Sequence, residues 1–272
     1  MIYQPEDRAI YGDLVSSFRD YGERPRPMGQ LMLAIGKYFL GFPYASHTLE
    51  RDGREALVIN LREFDCFTFV ENCVVLAGLL SKGKSYFRSY AAQLKKIRYR
   101  SGILKGYSSR LQYFSDWLYD NEKKGIVTDV TSRCGAEPFR KNFNFMTRHR
   151  EDYPALGMEK SYRDMVAIER RLSGRLLHRI PKAALGQLKS MVESGDLIAL
   201  TTGIEGLDVV HVGLAVYLKG RIHLLHASEV EKRVVISDLT LHQYISRRKM
   251  MTGIMVGRSI PTYQNDGSPS LA

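Results

Sequence analysis

Cys66 is the residue whose type and position best suit covalent chemistry. It lies in the segment 64–68, Phe-Asp-Cys-Phe-Thr, at the predicted first turn of a helix. Unpaired N–H groups and the positive end of the helix dipole at that position favour a thiolate, which predicts a nucleophile. A small buried side chain is the alternative role for such a cysteine. Because the chain has three cysteines, at least one thiol is expected to be unpaired.

A thiolate nucleophile needs a base, and two histidines on a predicted hairpin offer one. His211 lies inside an apolar strand, where burying an imidazole carries a desolvation cost that needs a reason. Strand alternation places it on one face with Gly213 and Ala215, which we expect to leave room for the Cys66 helix. His226, on the second strand, is expected to fix the tautomer of His211.

A catalytic zinc site is the rival interpretation of these three residues. Three nitrogen or sulfur ligands plus water are typical of such sites. No carboxylate or Cys-x-x-Cys motif accompanies Cys66, His211 and His226. The sequence therefore favours a metal-free site that needs no cofactor.

The elements that must position these residues combine helices with a later group of strands. Helices are predicted over 28–40 and 66–80, and Asp65 is the predicted N-cap of the second helix. Residues 57–61 are predicted to form a short strand or an extended approach to that second helix. Strands are predicted at 196–200, 209–217, 221–227 and 233–236, with Lys219-Gly220 as a tight hairpin turn. Residues 253–257 are expected to close the same sheet. The pattern predicts the α+β class.

Positive charge is concentrated in the middle of the chain. The protein has 272 residues, 44% of them apolar, which is enough to bury a large core. Residues 81–190 carry 24 Lys and Arg against 10 Asp and Glu, although the whole chain carries only +11. We predict a single catalytic domain, 1–272, with core segments 1–80 and 191–262. The basic, mostly helical insertion 81–190 is expected to have helices near 85–99, 110–123 and 161–177.

The basic insertion allows several roles. Arginines could meet peptide carboxylates and aromatic rings could stack on sugars, which makes a substrate clamp. A solvated helical cap with aromatic residues in its core is the alternative. Nucleic-acid binding is a further one, but no recognition signature accompanies it and it leaves both histidines unexplained. The candidate clamp residues are Arg88, Arg98, Arg100, Arg110 and Trp117.

The remaining exclusions concern membranes and targeting. The longest apolar runs, 73–80 and 209–218, are far shorter than the roughly 20 residues that span a bilayer. The first 18 residues are charged and unlike a signal peptide. We expect no membrane span, with a cytoplasmic location if the leaderless start is real and a periplasmic location if a leader is missing.

Four segments in this order resemble the NlpC-like papain-fold cysteine peptidases and amidases, which cut amide bonds in bacterial peptidoglycan. They are Phe64–Val70, Gly195–Ile198, His211–Leu214 and Leu225–Ser228. The resemblance implies a papain-like core with the catalytic cysteine at a helix N-terminus packed on an antiparallel sheet. It also implies that Cys66 is the nucleophile, His211 the base and His226 the polar third member.

Further segments resemble the N-acetylmuramoyl-L-alanine amidase-like branch of that superfamily. They are Gly41–Tyr44, Leu57–Leu61, Thr68–Glu71, Ser109–Trp117, Asn144–Met146 and Gly206–Asp208. This resemblance implies that Tyr44 lies near the oxyanion site. It also makes Arg110, Tyr113, Trp117 and Asp208 candidates for binding substrate.

One departure bears on the substrate. Peptide-cutting relatives usually have Asp-Cys-Ser-Gly, in which the Asp and Ser help to hold a free L-alanine amine. Phe67 and Thr68 stand in place of Ser-Gly here. An amidase substrate has no free amine at that nitrogen, so the departure favours an amidase, although Asp65 could act purely as an N-cap.

These features predict a cell-wall hydrolase that cleaves between N-acetylmuramic acid and L-alanine in peptidoglycan or muropeptides. A γ-D-glutamyl-diamino acid endopeptidase on the same fold is the main alternative. A noncatalytic glycan- or nucleic-acid-binding protein is the other.

Overall fold

Helices surround a sheet in the computed structural model, which describes residues 1–19, 27–51, 53–83 and 86–260. The α-helices are α1 (Pro5–Ser17), α2 (Met28–Tyr38), α3 (Cys66–Leu80), α4 (Phe87–Arg98), α5 (Phe114–Lys123), α6 (Phe145–Arg148), α7 (Glu159–Ser173) and α8 (Leu241–Ser246). Short 3-10 helices cover Arg100–Gly102, Tyr107–Ser109, Thr131–Cys134, Arg150–Asp152, Pro154–Gly157 and Lys182–Ser190.

The strands form one antiparallel sheet in the order β2-β3-β8-β4-β5-β6-β7, and β1 also pairs with β8. They are β1 (Val127–Asp129), β2 (Glu137–Phe139), β3 (Leu177–Pro181), β4 (Leu197–Thr202), β5 (Val209–Leu218), β6 (Arg221–Ser228), β7 (Arg233–Thr240) and β8 (Met251–Ser259). The fold is therefore mixed α+β, as predicted.

The predicted hairpin is confirmed in detail. Leu218 pairs with Arg221, so the loop contains only Lys219 and Gly220. Both have positive φ, 49° and 74°, which is the geometry of a two-residue hairpin turn. The last strand, β8, joins the same sheet beside β4, and residues 57–61 form an extended approach with one bridge, from Val58 to Ile2.

Side chains on the two faces of the sheet enter different apolar clusters. On one face, Val212, Leu214 and Val216 pack with the apolar sides of α2 and α3. On the other face, Ala215 and Leu224 pack beneath α8 and the 3-10 helix Lys182–Ser190. Strand alternation explains the split, because successive residues of β5 point to opposite faces.

The segment 81–190 is not separated from the sheet. It contributes β1, β2 and β3, of which β1 and β3 pair directly with β8. These strands have three to five residues, too few to show alternation in the sequence. A third apolar cluster, with Tyr113, Phe143 and Met165 among its members, lies within this segment.

The helix predictions differ from the structure mainly at helix ends. The helix predicted at 110–123 begins at Phe114, and the one at 161–177 covers Glu159–Ser173. Residue 85 of the helix predicted at 85–99 lies outside the described residues, as do residues 261 and 262 of the second core segment. Three α-helices, α1, α6 and α8, were not predicted. Within the described ranges, no helix is long and apolar enough to cross a membrane.

Candidate active site

Cys66 is the first residue of α3, and a capping box fixes that turn. The Asp65 carboxylate accepts hydrogen bonds from the backbone N–H groups of Phe67 (2.9 Å) and Thr68 (2.7 Å). In return, the backbone N–H of Asp65 donates to the hydroxyl of Thr68 at 3.0 Å. The predicted N-cap is confirmed, and its short polar side chain explains why the helix starts at Cys66.

A cleft of about 390 Å³ opens at this helix end. The start of α3, the loop 46–50 and the segment 110–112 supply much of its wall. Arg98, Tyr153 and Val210 complete the lining. The cleft is therefore lined jointly by α3, β5 and the basic segment.

His211 and His226 contact each other directly. Nε2 of His211 lies 2.7 Å from Nδ1 of His226, and the two rings are nearly perpendicular, at 89°. Gly213 makes this contact possible, because a Cβ there would lie 2.9 Å from the Cβ of His226. The hairpin register thus joins the two predicted histidines.

The thiol of Cys66 lies at the backbone of β5, where it meets the N–H of Val212, the residue after His211. The sheet face that α3 packs on is not the one expected from the sequence. α3 packs on the face that carries Val212 and Leu214, whereas Ala215 lies on the α8 face. The expectation that Gly213 and Ala215 make room for the Cys66 helix is therefore wrong, because Gly213 accommodates His226.

Burial acts against the thiolate that the sequence predicts at Cys66. Desolvation and the charge of Asp65 raise the pKa of Cys66 to about 12, although the N–H groups of Val212, Cys66 and Phe67 oppose the shift. Burial, His226 and Arg248 lower the pKa of His211 to about 3. Both directions favour a neutral thiol and a neutral imidazole at rest, whereas the helix dipole alone favours a thiolate. Desolvation outweighs the helix dipole here.

Tyr44 lies close enough to Cys66 for their charges to interact. Its pKa is raised by burial first and then by Cys66, Glu229 and Asp65. The hydroxyl consequently keeps its proton and can act as a hydrogen-bond donor. This placement agrees with the position near the nucleophile implied by the family resemblance.

Two residues that the sequence did not suggest cover the histidine pair. The Tyr244 ring lies 6.3 Å from the His211 ring, nearly parallel to it, and 5.6 Å from the His226 ring. Arg248 stacks on Tyr244 with Cζ 3.7 Å from the ring centroid. Thr240 and Gln243 form a capping box at the start of α8, and that pattern could have revealed the helix.

Arg110 lies in the cleft wall with its charge already balanced. Its Nη2 is 2.7 Å from Glu50 and its Nε is 3.6 Å from Glu55. The guanidinium also lies over the Tyr107 ring, at 4.8 Å. It is 4% exposed, so it borders the cleft as part of a buried cluster.

The predicted aromatic ligands of the insertion are core residues. Trp117 is 0% exposed and donates its indole N–H to Glu71 at 3.2 Å. Tyr113 is 2% exposed and donates its hydroxyl to Glu169 at 2.6 Å. Neither ring offers an open face for a sugar, so the cap-with-aromatic-core alternative describes both positions.

Asp208 is also buried, and it anchors two elements. One carboxylate oxygen accepts from the backbone N–H of Ser115 in the first turn of α5, at 2.8 Å. The other accepts from the N–H of Val209 at the start of β5, at 2.8 Å. Burial raises the pKa of Asp208. The structure places it as a link between α5 and β5, away from direct ligand contact.

The histidine geometry disfavours the zinc alternative. Two nitrogen ligands on one tetrahedral zinc ion would lie roughly 3.3 Å apart, whereas these two ring nitrogens are 2.7 Å apart and share a hydrogen bond. In the parts of the chain that the structure describes, no group of three or more His, Cys, Asp or Glu side chains is arranged to hold a metal ion.

Solved structures with this fold come from several bacteria. An N-acetylmuramoyl-L-alanine amidase from Bacteroides uniformis is 38% identical, with a TM-score of 0.82 over 86% of this chain and 99% of its own. A Bacteroides fragilis protein, provisionally named a xylanase, is 39% identical, with a TM-score of 0.80 over 83% and 99%. The Legionella pneumophila protein LPG0564, 21% identical, shares the fold, with a TM-score of 0.67 over 94% and 97%.

No curated protein sequence matches the chain. The family model described as AmiA-like, N-acetylmuramoyl-L-alanine amidase-like, matches residues 34–254, which include Cys66, His211 and His226. Because this match covers most of the chain, the protein belongs to the N-acetylmuramoyl-L-alanine amidase-like family.

Proposed function

We propose that the protein is a cell-wall hydrolase that cleaves the amide bond between N-acetylmuramic acid and L-alanine in peptidoglycan or muropeptides. Cys66 is the nucleophile, His211 the base and His226 the residue that orients it, on a papain-like core. One observation carries the proposal: the cleft ends at a cysteine on a helix N-terminus, beside β5, whose His211 is hydrogen-bonded to His226 of β6. Family membership supports this choice of bond and substrate class.

The first step is proton transfer followed by attack. In the productive tautomer, Nε2–H of His211 donates to Nδ1 of His226, which leaves Nδ1 of His211 to accept the thiol proton of Cys66. The sulfur then adds to the lactyl carbonyl carbon. The backbone N–H of Cys66 and the Tyr44 hydroxyl are the proposed donors to the oxyanion. Transfer of the thiol proton to His211 during the attack by sulfur is consistent with a thiol and an imidazole that are both neutral at rest.

The intermediate collapses by breaking the C–N bond. Protonated His211 gives its proton to the departing nitrogen, which leaves as the α-amine of the L-alanine peptide. A water molecule, deprotonated by His211, then attacks the muramyl thioester. The lactyl carboxylate leaves, and the thiol of Cys66 recovers its proton.

The residues after the nucleophile support an amidase over an endopeptidase. The Phe67 ring packs against Phe114 and Trp117, with centroids 6.1 and 5.8 Å away. The Thr68 hydroxyl is bonded to Asp65, whose carboxylate caps α3. These side chains serve packing and capping, so they do not form a pocket for a free L-alanine amine.

Glycan hydrolysis, suggested by the name of the Bacteroides fragilis neighbour, finds less support in the cleft. Glycosidases generally need two carboxyl groups that are available to the substrate. Asp65 is used as a helix cap, and Glu71 is 0% exposed and bonded to Arg98 at 2.7 Å. We therefore retain the amidase.

The test is product analysis on a defined N-acetylmuramoyl tetrapeptide, by mass spectrometry. An amidase releases the intact peptide with N-terminal L-alanine, whereas an endopeptidase cuts after D-glutamate and leaves L-alanine on the sugar. Cys66→Ala should abolish turnover while its melting temperature stays close to the wild-type value. Cys73→Ala, at a buried cysteine of the same helix, should stay active. Full activity in Cys66→Ala would refute the mechanism.

A further inference from the structure

Three arginines converge on one buried carboxylate in the basic segment. Asp116, in the first turn of α5, has a side chain that is 1% exposed. Its oxygens lie 2.6 Å from Arg100 Nη2, 2.9 Å from Arg175 Nη1 and 4.0 Å from Arg171 Nη2. One carboxylate can balance one guanidinium, so positive charge is left over.

The neighbouring groups increase this excess. Asp120, one turn along α5, forms an ion pair with Lys124 and accepts from the backbone N–H of Ser101 at 3.1 Å. The aromatic ring of Tyr119 carries two further cation contacts, from Arg175 at 3.9 Å and Lys123 at 4.4 Å. Among the residues that the structure describes, this group, the Asp116 cluster, holds five cations and two carboxylates: Arg100, Lys123, Lys124, Arg171 and Arg175 against Asp116 and Asp120.

The crowding affects Arg171 in particular. Burial comes first among the causes that lower its pKa, and the charges of Arg100 and Arg175 add to it. Half of the Arg171 side chain, 49%, is nevertheless exposed, and Arg100 and Arg175 are 22% and 21% exposed. Each guanidinium has five N–H donors, of which the contacts to Asp116 use a minority.

We propose that the Asp116 cluster is an anion-binding site that takes a phosphate group. Guanidinium forks match phosphate oxygens in a bidentate geometry, and a phosphate carries the charge that this cluster lacks. Clustered like charges in a partly desolvated place are unfavourable unless an anion balances them. An anion-binding site would give a role to much of the positive charge in residues 81–190, which has no role in the proposed active-site chemistry. A soluble phosphate ester and a lipid headgroup both present this chemistry.

The first experiment uses inorganic phosphate as the probe at constant ionic strength, with chloride as the reference. At phosphate about tenfold above its Kd, the wild-type melting temperature should rise by roughly 3 °C. Arg171→Gln should lose most of this rise. Arg170→Gln, which removes the same charge from the exposed neighbouring position on α7, should keep it.

The same variants also distinguish an anion-binding role of the Asp116 cluster from a purely structural role as an ion network. Without phosphate, Arg171→Gln should melt at the wild-type temperature or above it, because the substitution relieves repulsion. A clear fall in melting temperature, or an equal phosphate response in all three proteins, would overturn the proposal. Amidase turnover should be unchanged in Arg171→Gln, so this result is independent of the proposed function.

A second arm identifies the source of the phosphate. The protein is sedimented with vesicles of phosphatidylglycerol or of phosphatidylcholine. If the wild type binds the anionic vesicles, and this binding is lost in Arg171→Gln and kept in Arg170→Gln, the ligand is a lipid headgroup. A phosphate response without vesicle binding assigns a soluble ester. The absence of both responses in the wild type rejects the site.

Discussion

His211 and His226 share a hydrogen bond of 2.7 Å between Nε2 of the first ring and Nδ1 of the second. The bond uses Nε2 of His211, and Nδ1 of that ring takes no part in this contact. Each ring can exchange its proton between two nitrogens, and in the proposed mechanism Nε2–H of His211 donates to His226, so that Nδ1 of His211 is the base. In that mechanism His226 is a positioning residue.

Replacing His226 tests that role. In His226→Ala, the His211 tautomer is no longer fixed, and kcat should fall by roughly 10²–10⁴-fold with little change in KM. His226→Asn should recover part of the loss, because an amide oxygen can accept from Nε2–H. Steady-state kinetics on the N-acetylmuramoyl tetrapeptide, with melting temperatures alongside, make the comparison. Wild-type kcat in His226→Ala would rule out the role.

Arg248 should set the acid limit of activity. Its charge helps to keep the pKa values of His211 and His226 low, after the larger effect of burial. Because His211 must be neutral to act as a base, the wild-type enzyme should stay active well below pH 6.5. Removing the cation in Arg248→Met should raise the pKa of His211, so that the acid limb of the kcat/KM profile moves to higher pH.

Two matched variants control the Arg248 experiment. Arg248→Lys keeps the charge and should keep the wild-type profile, whereas Arg247→Met removes a charge from the exposed neighbouring position. At a pH below both pKa values, a shift of half a pKa unit would reduce kcat/KM by up to about threefold. An acid limb that does not move in Arg248→Met, or that moves equally in Arg247→Met, would argue against the electrostatic effect.

Gly213 is predicted to be intolerant of any side chain. A Cβ at this position would lie 2.8 Å from the backbone oxygen of Leu225 and 2.9 Å from the Cβ of His226. Gly213→Ala should therefore destabilise the protein by about 1–3 kcal/mol and also lower kcat by displacing His226. Gly78→Ala is the control, since a Cβ there meets nothing within 4 Å and helix propensity should slightly stabilise α3. Equal urea midpoints for the two variants would contradict this account.

Trp117 should matter for stability and not for substrate affinity. Its indole N–H is bonded to Glu71, which also pairs with Arg98. Trp117→Phe leaves Glu71 short of a donor and leaves space in the core, so the loss should be about 1–3 kcal/mol in the free energy of unfolding. KM for the tetrapeptide substrate should not change. A large rise in KM with unchanged stability would restore the sugar-stacking interpretation.

Local patterns in the sequence accounted for several parts of the site. Asp65 followed by an apolar helical period placed Cys66 at a helix start, and the Lys219-Gly220 turn between two apolar strands placed His211 and His226 on one hairpin. These predictions depend on interactions within a few residues, which short-range capping and turn rules describe well. The short strands β1, β2 and β3 lacked such signals.

Packing between distant segments decided the rest. Which face of β5 receives α3, how far Cys66 is buried and what covers the histidines depend on elements that lie far apart in the chain. A six-residue helix, α8, brings Tyr244 over the histidine pair, and burial raises the pKa of the Cys66 thiol. The sequence by itself determined the identity and order of the candidate reactive groups. Only the tertiary structure decided their protonation, their accessibility and their neighbours, because desolvation and contact depend on the whole fold.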